Sequence, residues 1–223
     1  MTVESRELHR LLEEVQDEVR ATAHLTGCAA LGQRVLQVLR TVPRHAFVPA
    51  ELAESAYANH PLPIGHGQTI SQPYIVALMT ALIQPEEEDV VLEVGTGSGY
   101  QAAILSRLVK QVYSLEIIDT LAAQASQRLQ QLGYDNVEVC TGNGHLGWPE
   151  HAPYDAIVVT AAAPSVPRAL IEQLKPGGTL IIPVGGRHFG QDLLKINKDE
   201  YGRLSERSIL PVIFVPLTGS PAN

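Results

Sequence analysis

Val90-Val91-Leu92-Glu93-Val94-Gly95-Thr96-Gly97-Ser98-Gly99-Tyr100 is the stretch that decides the fold. Its first five residues form a short apolar run between the acidic segment Glu86-Glu87-Glu88-Asp89 and a set of glycines. That pattern predicts a strand buried on both faces, preceded by a solvated loop. The glycines let the chain turn sharply and bring a ligand against backbone N–H groups, and a helix is expected directly after them, over about 99–109. A glycine turn between a buried strand and a helix is where a nucleotide-like cofactor sits, at the carboxyl edge of a parallel sheet.

Working outward, the hydrophobic period keeps switching between two and 3.6. Strands are predicted at about 112–115, 137–140, 155–160, 179–184, 193–196 and 209–217, with Gly202 turning the chain between the last two. Helices are predicted at about 120–132, with Asp119 as N-cap, and at about 167–174. Upstream, Leu8, Leu11, Leu12, Val15 and Val19 recur at helical spacing, giving a helix over about 4–23. A second runs over about 31–42 and stops at Pro43, and a third, short one fits 51–58. Pro61-Leu62-Pro63-Ile64-Gly65-His66-Gly67 is expected to be an irregular loop. A further helix begins near Pro73. Alternating apolar strands and helices give an α/β fold, a mostly parallel seven-stranded Rossmann-like sheet with helices on both faces. Residues 1–75 are read as a helical annex with a substrate loop and 76–223 as the cofactor-binding core, all one domain.

Composition narrows the classes. The chain has 223 residues, 45% hydrophobic and 18% charged, which excludes wholesale disorder. A net charge of −8, from 24 acidic and 16 basic residues, argues against a nucleic-acid binder. Cys28 and Cys140 form no Cys-x-x-Cys pair, so they read as reduced, largely buried thiols rather than a disulfide framework or a zinc site. The eight histidines show no metal-ligand spacing. The N-terminus has no apolar signal core and no stretch is long enough for a transmembrane helix, so a cytoplasmic address away from membranes is expected. There is no Gly-x-Ser-x-Gly elbow for a serine hydrolase.

The chemistry collects at strand ends. The glycine spacing differs from the Gly-x-Gly-x-x-Gly of dinucleotide binders, and Glu93 ahead of it suits S-adenosylmethionine enzymes, which need no pyrophosphate cradle. Glu116, 21 residues after Gly95 at the end of the second strand of the sheet, can accept hydrogen bonds from both ribose hydroxyls. Gly142-Asn143-Gly144-His145 follows the third strand and either wraps an adenine or is a plain turn. Thr160-Ala161-Ala162-Ala163-Pro164 replaces the Asn/Asp-Pro-Pro-Tyr of many base methyltransferases and leaves room for a flexible substrate. Gln68-Thr69-Ile70-Ser71-Gln72-Pro73 meets a helix N-terminus. Ser71 either caps that helix or helps to form a carboxylate site there.

On these residues the chain resembles the protein-L-isoaspartate O-methyltransferase family, over about 42–218. The pieces that match are Val42-Pro43-Arg44 with Phe47-Val48, Pro63-Ile64-Gly65, Gln68 to Pro73, Glu93 to Gly99, Ala152 to Ile157, Thr160-Ala161-Ala162, Leu174 to Gly178 and Val215-Pro216-Leu217. The resemblance implies a class I S-adenosylmethionine-dependent methyltransferase fold. It also implies methyl transfer to the α-carboxylate of L-isoaspartyl residues in damaged proteins and peptides, the ester then cyclising to a succinimide. It implies Ser71 as the catalytic residue, and cofactor contacts from Thr69, Ile70, Ser71, Glu93, Gly95, Thr96, Gly97, Ser98, Gly99, Glu116, Ile117, Asn143, Gly144 and Thr160. Substrate contacts would come from Pro63, Ile64, Gly65, Thr69, Ser71, Ala161, Ala162, Val215 and Thr218, with no metal, and the protein is expected to work as a monomer. The family usually has Asp where this chain has Asn143. The alternatives are a class I methyltransferase of another substrate and a non-catalytic cofactor-binding recognition module.

Overall fold

A computed structural model describes residues 3–186 and 190–220; the Met1-Thr2 end of the predicted polar N-terminus lies outside them. Helix α1 (Val3–Thr26) is three residues longer at its C-terminus than its apolar stripe required and ends at Gly27, whose φ of 71° is left-handed. Helix α2 (Gln33–Thr41) follows. The predicted helix over 51–58 is instead a 3₁₀ turn, Ala50–Ser55, entered from Pro49; a further 3₁₀ turn, Arg44–Phe47, precedes it and is entered from Pro43.

The segment expected to be an irregular loop is a hairpin. Strand β1 (Leu62–Gly65) pairs antiparallel with β2 (Gln68–Ile70) around His66-Gly67, and both turn residues have positive φ, 52° and 70°. Two left-handed residues make the turn whose twist suits a two-residue hairpin. The prolines misled because a two-stranded ribbon has free edges, where a missing N–H costs little. Pro63 pairs with Thr69 but Gly65 pairs with Gln68, so Ile64 is bulged out.

Helix α3 (Pro73–Ile83) has Pro73 in its first turn, as predicted. The rest alternates as expected: β3 (Val90–Val94), α4 (Tyr100–Ser106), β4 (Gln111–Glu116), α5 (Asp119–Gln131), β5 (Val137–Thr141), β6 (Tyr154–Val159), α6 (Arg168–Gln173), β7 (Leu174–Gly186), β8 (Gly190–Lys198) and β9 (Leu204–Val212). Asp119 is the first helical residue of α5 rather than its cap; Ile118 holds that position and the acid complements the helix N-terminus instead. The last strand lies earlier than predicted. Its first five residues are polar or exposed, because β9 is an edge strand whose backbone pairs with β8 whatever its side chains are. The apolar residues 213–217 that suggested a strand leave the sheet and turn toward its carboxyl edge. Gly202 turns the chain between β8 and β9 with φ 78°.

The sheet order is β5-β4-β3-β6-β7-β8-β9, parallel from β5 to β7 and antiparallel beyond. Strand order reverses between the parallel strands β3 and β6, which creates a crevice at their carboxyl ends. Period-two alternation splits the core into two layers. Val91, Val112, Val158 and Ile181 pack with α3, α4 and α5, and the annex residues Leu11, Val15, Val35 and Phe47 belong to the same cluster. Leu92, Val94, Ile157 and Leu180 face the other way onto Leu170 of α6. No helix among the described residues is long and apolar enough to cross a membrane. Cys28 and Cys140 are both free and half-buried, more exposed than expected, Cys28 donating to the Ala30 carbonyl in its loop and Cys140 to the Thr141 carbonyl at the end of β5.

The annex also clamps the start of α3. The Glu18 carboxylate on α1 accepts from Asn59 Nδ2 at 2.8 Å and from Gln72 Nε2 at 3.1 Å, while Asn59 Oδ1 accepts the Tyr74 N–H at 3.0 Å. Asn59 therefore satisfies the open N-terminus of α3 from fifteen residues upstream. Glu18→Ala leaves both amides without their charged acceptor, and we expect a loss of about 1–2 kcal/mol. Hydrogen exchange should quicken at the Tyr74 amide more than in β3, by deuterium uptake; uniform exchange in both would contradict the clamp.

Candidate functional site

The pocket lies over the β3–β6 crevice and encloses about 740 Å³ including its open mouth. Its floor is the glycine turn. Gly95, Gly97 and Gly99 have φ of 102°, 52° and 90°. At Gly95 an added Cβ would lie 2.4 Å from Thr160 Oγ1, so the ends of β3 and β6 can approach only without a side chain there. Thr160 locks this contact by donating to the Gly95 carbonyl at 2.6 Å. The bulged Ile64 of the hairpin packs over Gly97, and His66 at the hairpin tip reaches Thr120 at the start of α5 at 3.1 Å. The β1–β2 hairpin thus roofs the glycine turn.

Glu116 is buried at the pocket edge. One carboxylate oxygen accepts the Gly97 N–H at 2.8 Å and the other accepts the Ile118 N–H at 3.0 Å. Each oxygen keeps a free lone pair, enough for the two hydroxyls of a ribose. Glu93, beneath the turn, is fully buried, and burial pushes its carboxyl up to about 8 against the opposing hydrogen bond from Ser114, with the Glu116 charge adding to the rise. Ser114 donates to Glu93 and is bonded in turn to Thr96 Oγ1 at 2.6 Å. Glu93 Oε1 and Gln101 Oε1 are buried acceptors with no hydrogen-bond partner, and both residues line the pocket. Two orphaned acceptors in one wall fit a ligand that brings N–H donors, such as the ammonium of a methionine moiety. That pair of acceptors, the side-chain-free turn and the pocket-edge Glu116 together fit S-adenosylmethionine.

Among the expected site residues, Thr69, Ile70, Ser71, Glu93, Gly95, Thr96, Gly97, Ser98, Glu116, Ile117, Gly144, Thr160, Ala161, Val215 and Thr218 all line this one pocket. Gly99 does not; an added Cβ there would meet Leu129 and Ala125, so it packs α4 against α5. Pro63, Ile64, Gly65 and Ala162 stand behind the lining, with Ala162 fixing the C-terminal segment through bonds to the Val215 carbonyl and from the Leu217 N–H, both 2.8 Å. Asn143 also stands back. Its Oδ1 accepts the His145 N–H at 3.1 Å and its Nδ2 donates to the Ser220 carbonyl at 2.7 Å. Sequence reading singled out none of Val76, Gln101, Leu115 and Ile118 as wall residues; Gln101 was legible in principle, since it sits in the first turn of the helix that the glycine loop opens.

Ser71 Oγ makes no hydrogen bond to another described residue. The cap reading fails, since Gln72 holds the N-cap position of α3 without a side-chain bond. The hydroxyl stands free at the pocket wall beside the N-terminus of α3. Among the described residues no cluster of three or more His, Cys, Asp or Glu could hold a metal.

The Glu93 environment has a measurable signature. Between the unfolded carboxyl value near 4.5 and about 8, the folded protein keeps a proton that the unfolded chain has lost. Stability therefore falls as pH rises through that window. Relative to Glu93→Gln, the ligand-free protein should lose about 2–4 kcal/mol between pH 4.5 and 8 in urea unfolding; parallel pH curves for the two would contradict a buried neutral carboxyl.

Comparison with known proteins agrees with this geometry. The profile described as Protein-L-isoaspartate(D-aspartate) O-methyltransferase (PCMT) matches residues 23–222. A protein-L-isoaspartate O-methyltransferase 2 of Syntrophobacter fumaroxidans is 59% identical over 210 residues, 94% of this chain and 85% of the relative. One from a Polaromonas species is 59% identical over 94% of this chain and 99% of its own. Among solved structures, a protein-L-isoaspartate O-methyltransferase superposes with a TM-score of 0.80 at 27% identity, over 93% of this chain and 66% of that one. A Plasmodium falciparum protein described as a putative member, solved with S-adenosyl-L-homocysteine, gives 0.77 at 25% identity over 94% and 97% of the two chains. With the glycine turn, Glu116 and Ser71 gathered in one pocket, the chain belongs to the protein-L-isoaspartate(D-aspartate) O-methyltransferase family.

Proposed function

We propose that the pocket transfers a methyl group from S-adenosylmethionine to the free α-carboxylate of L-isoaspartyl residues in damaged proteins and peptides, with Ser71 holding that carboxylate. The observation that carries the reading is the free Ser71 hydroxyl on the wall of the same pocket as the glycine turn. When bound, the cofactor supplies an electrophilic methyl on a positively charged sulfur. Glu116 holds the ribose, Glu93 and Gln101 take the methionine end, and the 142–144 turn meets the adenine, with Asn143 setting that turn from behind. Ala161, Val215 and Thr218 flank the substrate chain; small residues there leave room for the kinked isoaspartyl backbone.

The chemistry asks little of acids and bases. A carboxylate with a pKa of about 4 is already ionised at pH 7. The residues need only exclude water and align it, which the roofing hairpin and the Ser71 hydroxyl do. An acidic surface of charge −8 supports a substrate other than nucleic acid. The same reading places the protein in the cytoplasm, acting as a monomer.

Paired synthetic peptides test the reading. The isoaspartyl peptide should be methylated and its aspartyl twin should not; equal methylation of both, or cofactor binding without turnover, would overturn it. Ser71→Ala should raise KM and lower kcat by about 10–100-fold without abolishing turnover, because alignment is weakened and no proton transfer is lost. Loss of about 10⁴-fold with cofactor binding intact would assign Ser71 a chemical step instead.

A further inference from the structure

Arg44 is a buried cation with no carboxylate partner among the described residues. It is 1% exposed and among the largest fully buried side chains. Its guanidinium donates to three backbone carbonyls, Ala56 at 2.9 Å, His60 at 3.5 Å and Ser71 at 2.8 Å, and lies 4.9 Å from the Tyr100 ring centroid. Nη1 has no hydrogen-bond partner among the described residues. No carboxylate is among the charged groups acting on it, only the phenols of Tyr100 and Tyr57. The acids of the annex and the pocket have other partners: Glu18 bonds Asn59 and Gln72, Glu116 two backbone amides, and Glu93 Ser114.

Burying a cation without a counter-ion is expensive, and neutral donors could satisfy carbonyls at far lower cost. The expense is intelligible if the missing anion arrives with the substrate. Arg44 Nη2 touches the carbonyl of the residue whose hydroxyl faces the pocket. Bond lengths within one serine then put the guanidinium within about 7 Å of the Ser71 hydroxyl. The path between them is packed protein, where a charge is screened far less than in water.

We propose that Arg44 is a substrate-positioning residue: its buried guanidinium is the counter-charge of the substrate α-carboxylate, acting through the Ser71 backbone that it holds. This rests on the isoaspartyl reading above. It divides recognition into two parts. Ser71 supplies a direct hydrogen bond and Arg44 supplies the field. The same side chain ties the 56–60 segment and the Ser71 block together, so charge and geometry are set by one group.

The test compares an isoaspartyl peptide with its α-carboxamide twin, each titrated calorimetrically onto the protein carrying S-adenosylhomocysteine. The two peptides share shape and differ in charge, so the ratio of their affinities reports the field while general loss of structure affects both. The wild type should favour the carboxylate by about 10–50-fold, the scale of one charge pair at this separation in a protein interior. Arg44→Gln should bring the ratio below about threefold, and Arg44→Lys, which keeps the charge but not the fork, should retain most of it. An unchanged ratio in a folded Arg44→Gln protein overturns the proposal and leaves Arg44 as a backbone anchor only. If Arg44→Gln does not fold, the carboxyl pKa of a ¹³C-labelled peptide bound to Ser71→Ala decides. Depression by a unit or more supports the field, and a value equal to that of the free peptide overturns it. A wild-type protein that methylates no isoaspartyl peptide is the separate failure of the underlying reading.

Discussion

Position 95 has no room for a Cβ, and the site is built on that constraint. Gly95 lets the carboxyl end of β3 close on Thr160 at the end of β6, and the reversal of strand order between those two parallel strands leaves the crevice above them. From this contact the turn climbs through Gly97, which donates to Glu116 of β4, and so ties the floor of the pocket to its ribose-facing edge. The hairpin roof rests on Gly97, where a side chain larger than hydrogen would push Ile64 away. Floor, edge and roof therefore depend on two positions that must be glycine.

The charges are sorted by the same architecture. Burial pushes the Glu93 carboxyl under the turn up to about 8, whereas Glu116 accepts two backbone N–H groups at the pocket edge. Ser71 is left unpaired, and the helix it precedes is satisfied by Asn59 from the annex. The N-terminal residues are thus more than a cover for the sheet. Through Glu18, Asn59 and Arg44 they take over the structural bonds around the Ser71 block and leave its hydroxyl without a bond to another described residue.

What could be read from the sequence was what is local. The glycine turn and the Ser71 block each declare themselves within a dozen residues, Glu116 does so by its place 21 residues after Gly95, and the strand–helix alternation followed from hydrophobic period. The misses share one cause, which is partners distant in the chain. The β1–β2 hairpin was hidden by Pro63, whose missing N–H is harmless only because no third strand pairs with that edge. Strand β9 looked polar because its pairing is a backbone matter, while of the apolar 213–217 that imitated a strand Val215, Pro216 and Leu217 serve the pocket wall. Asn143 was expected to face adenine directly, but it stands behind the 144–146 turn and bonds to Ser220, 77 residues away. Glu18 and Arg44 gave no local signal at all, since a single charge on an amphipathic helix or after a proline reads as surface.

The central claim is that this site aligns an ionised carboxylate and moves no proton during methyl transfer. The most direct measurement is single-turnover methylation of an isoaspartyl peptide with cofactor already bound, across pH 6–8 and in H₂O against D₂O. The account predicts a rate constant flat with pH and a solvent isotope effect near one, since no group must titrate in the step. A rate rising tenfold per pH unit, or an isotope effect of about two or more, would contradict it and require a general base in the pocket.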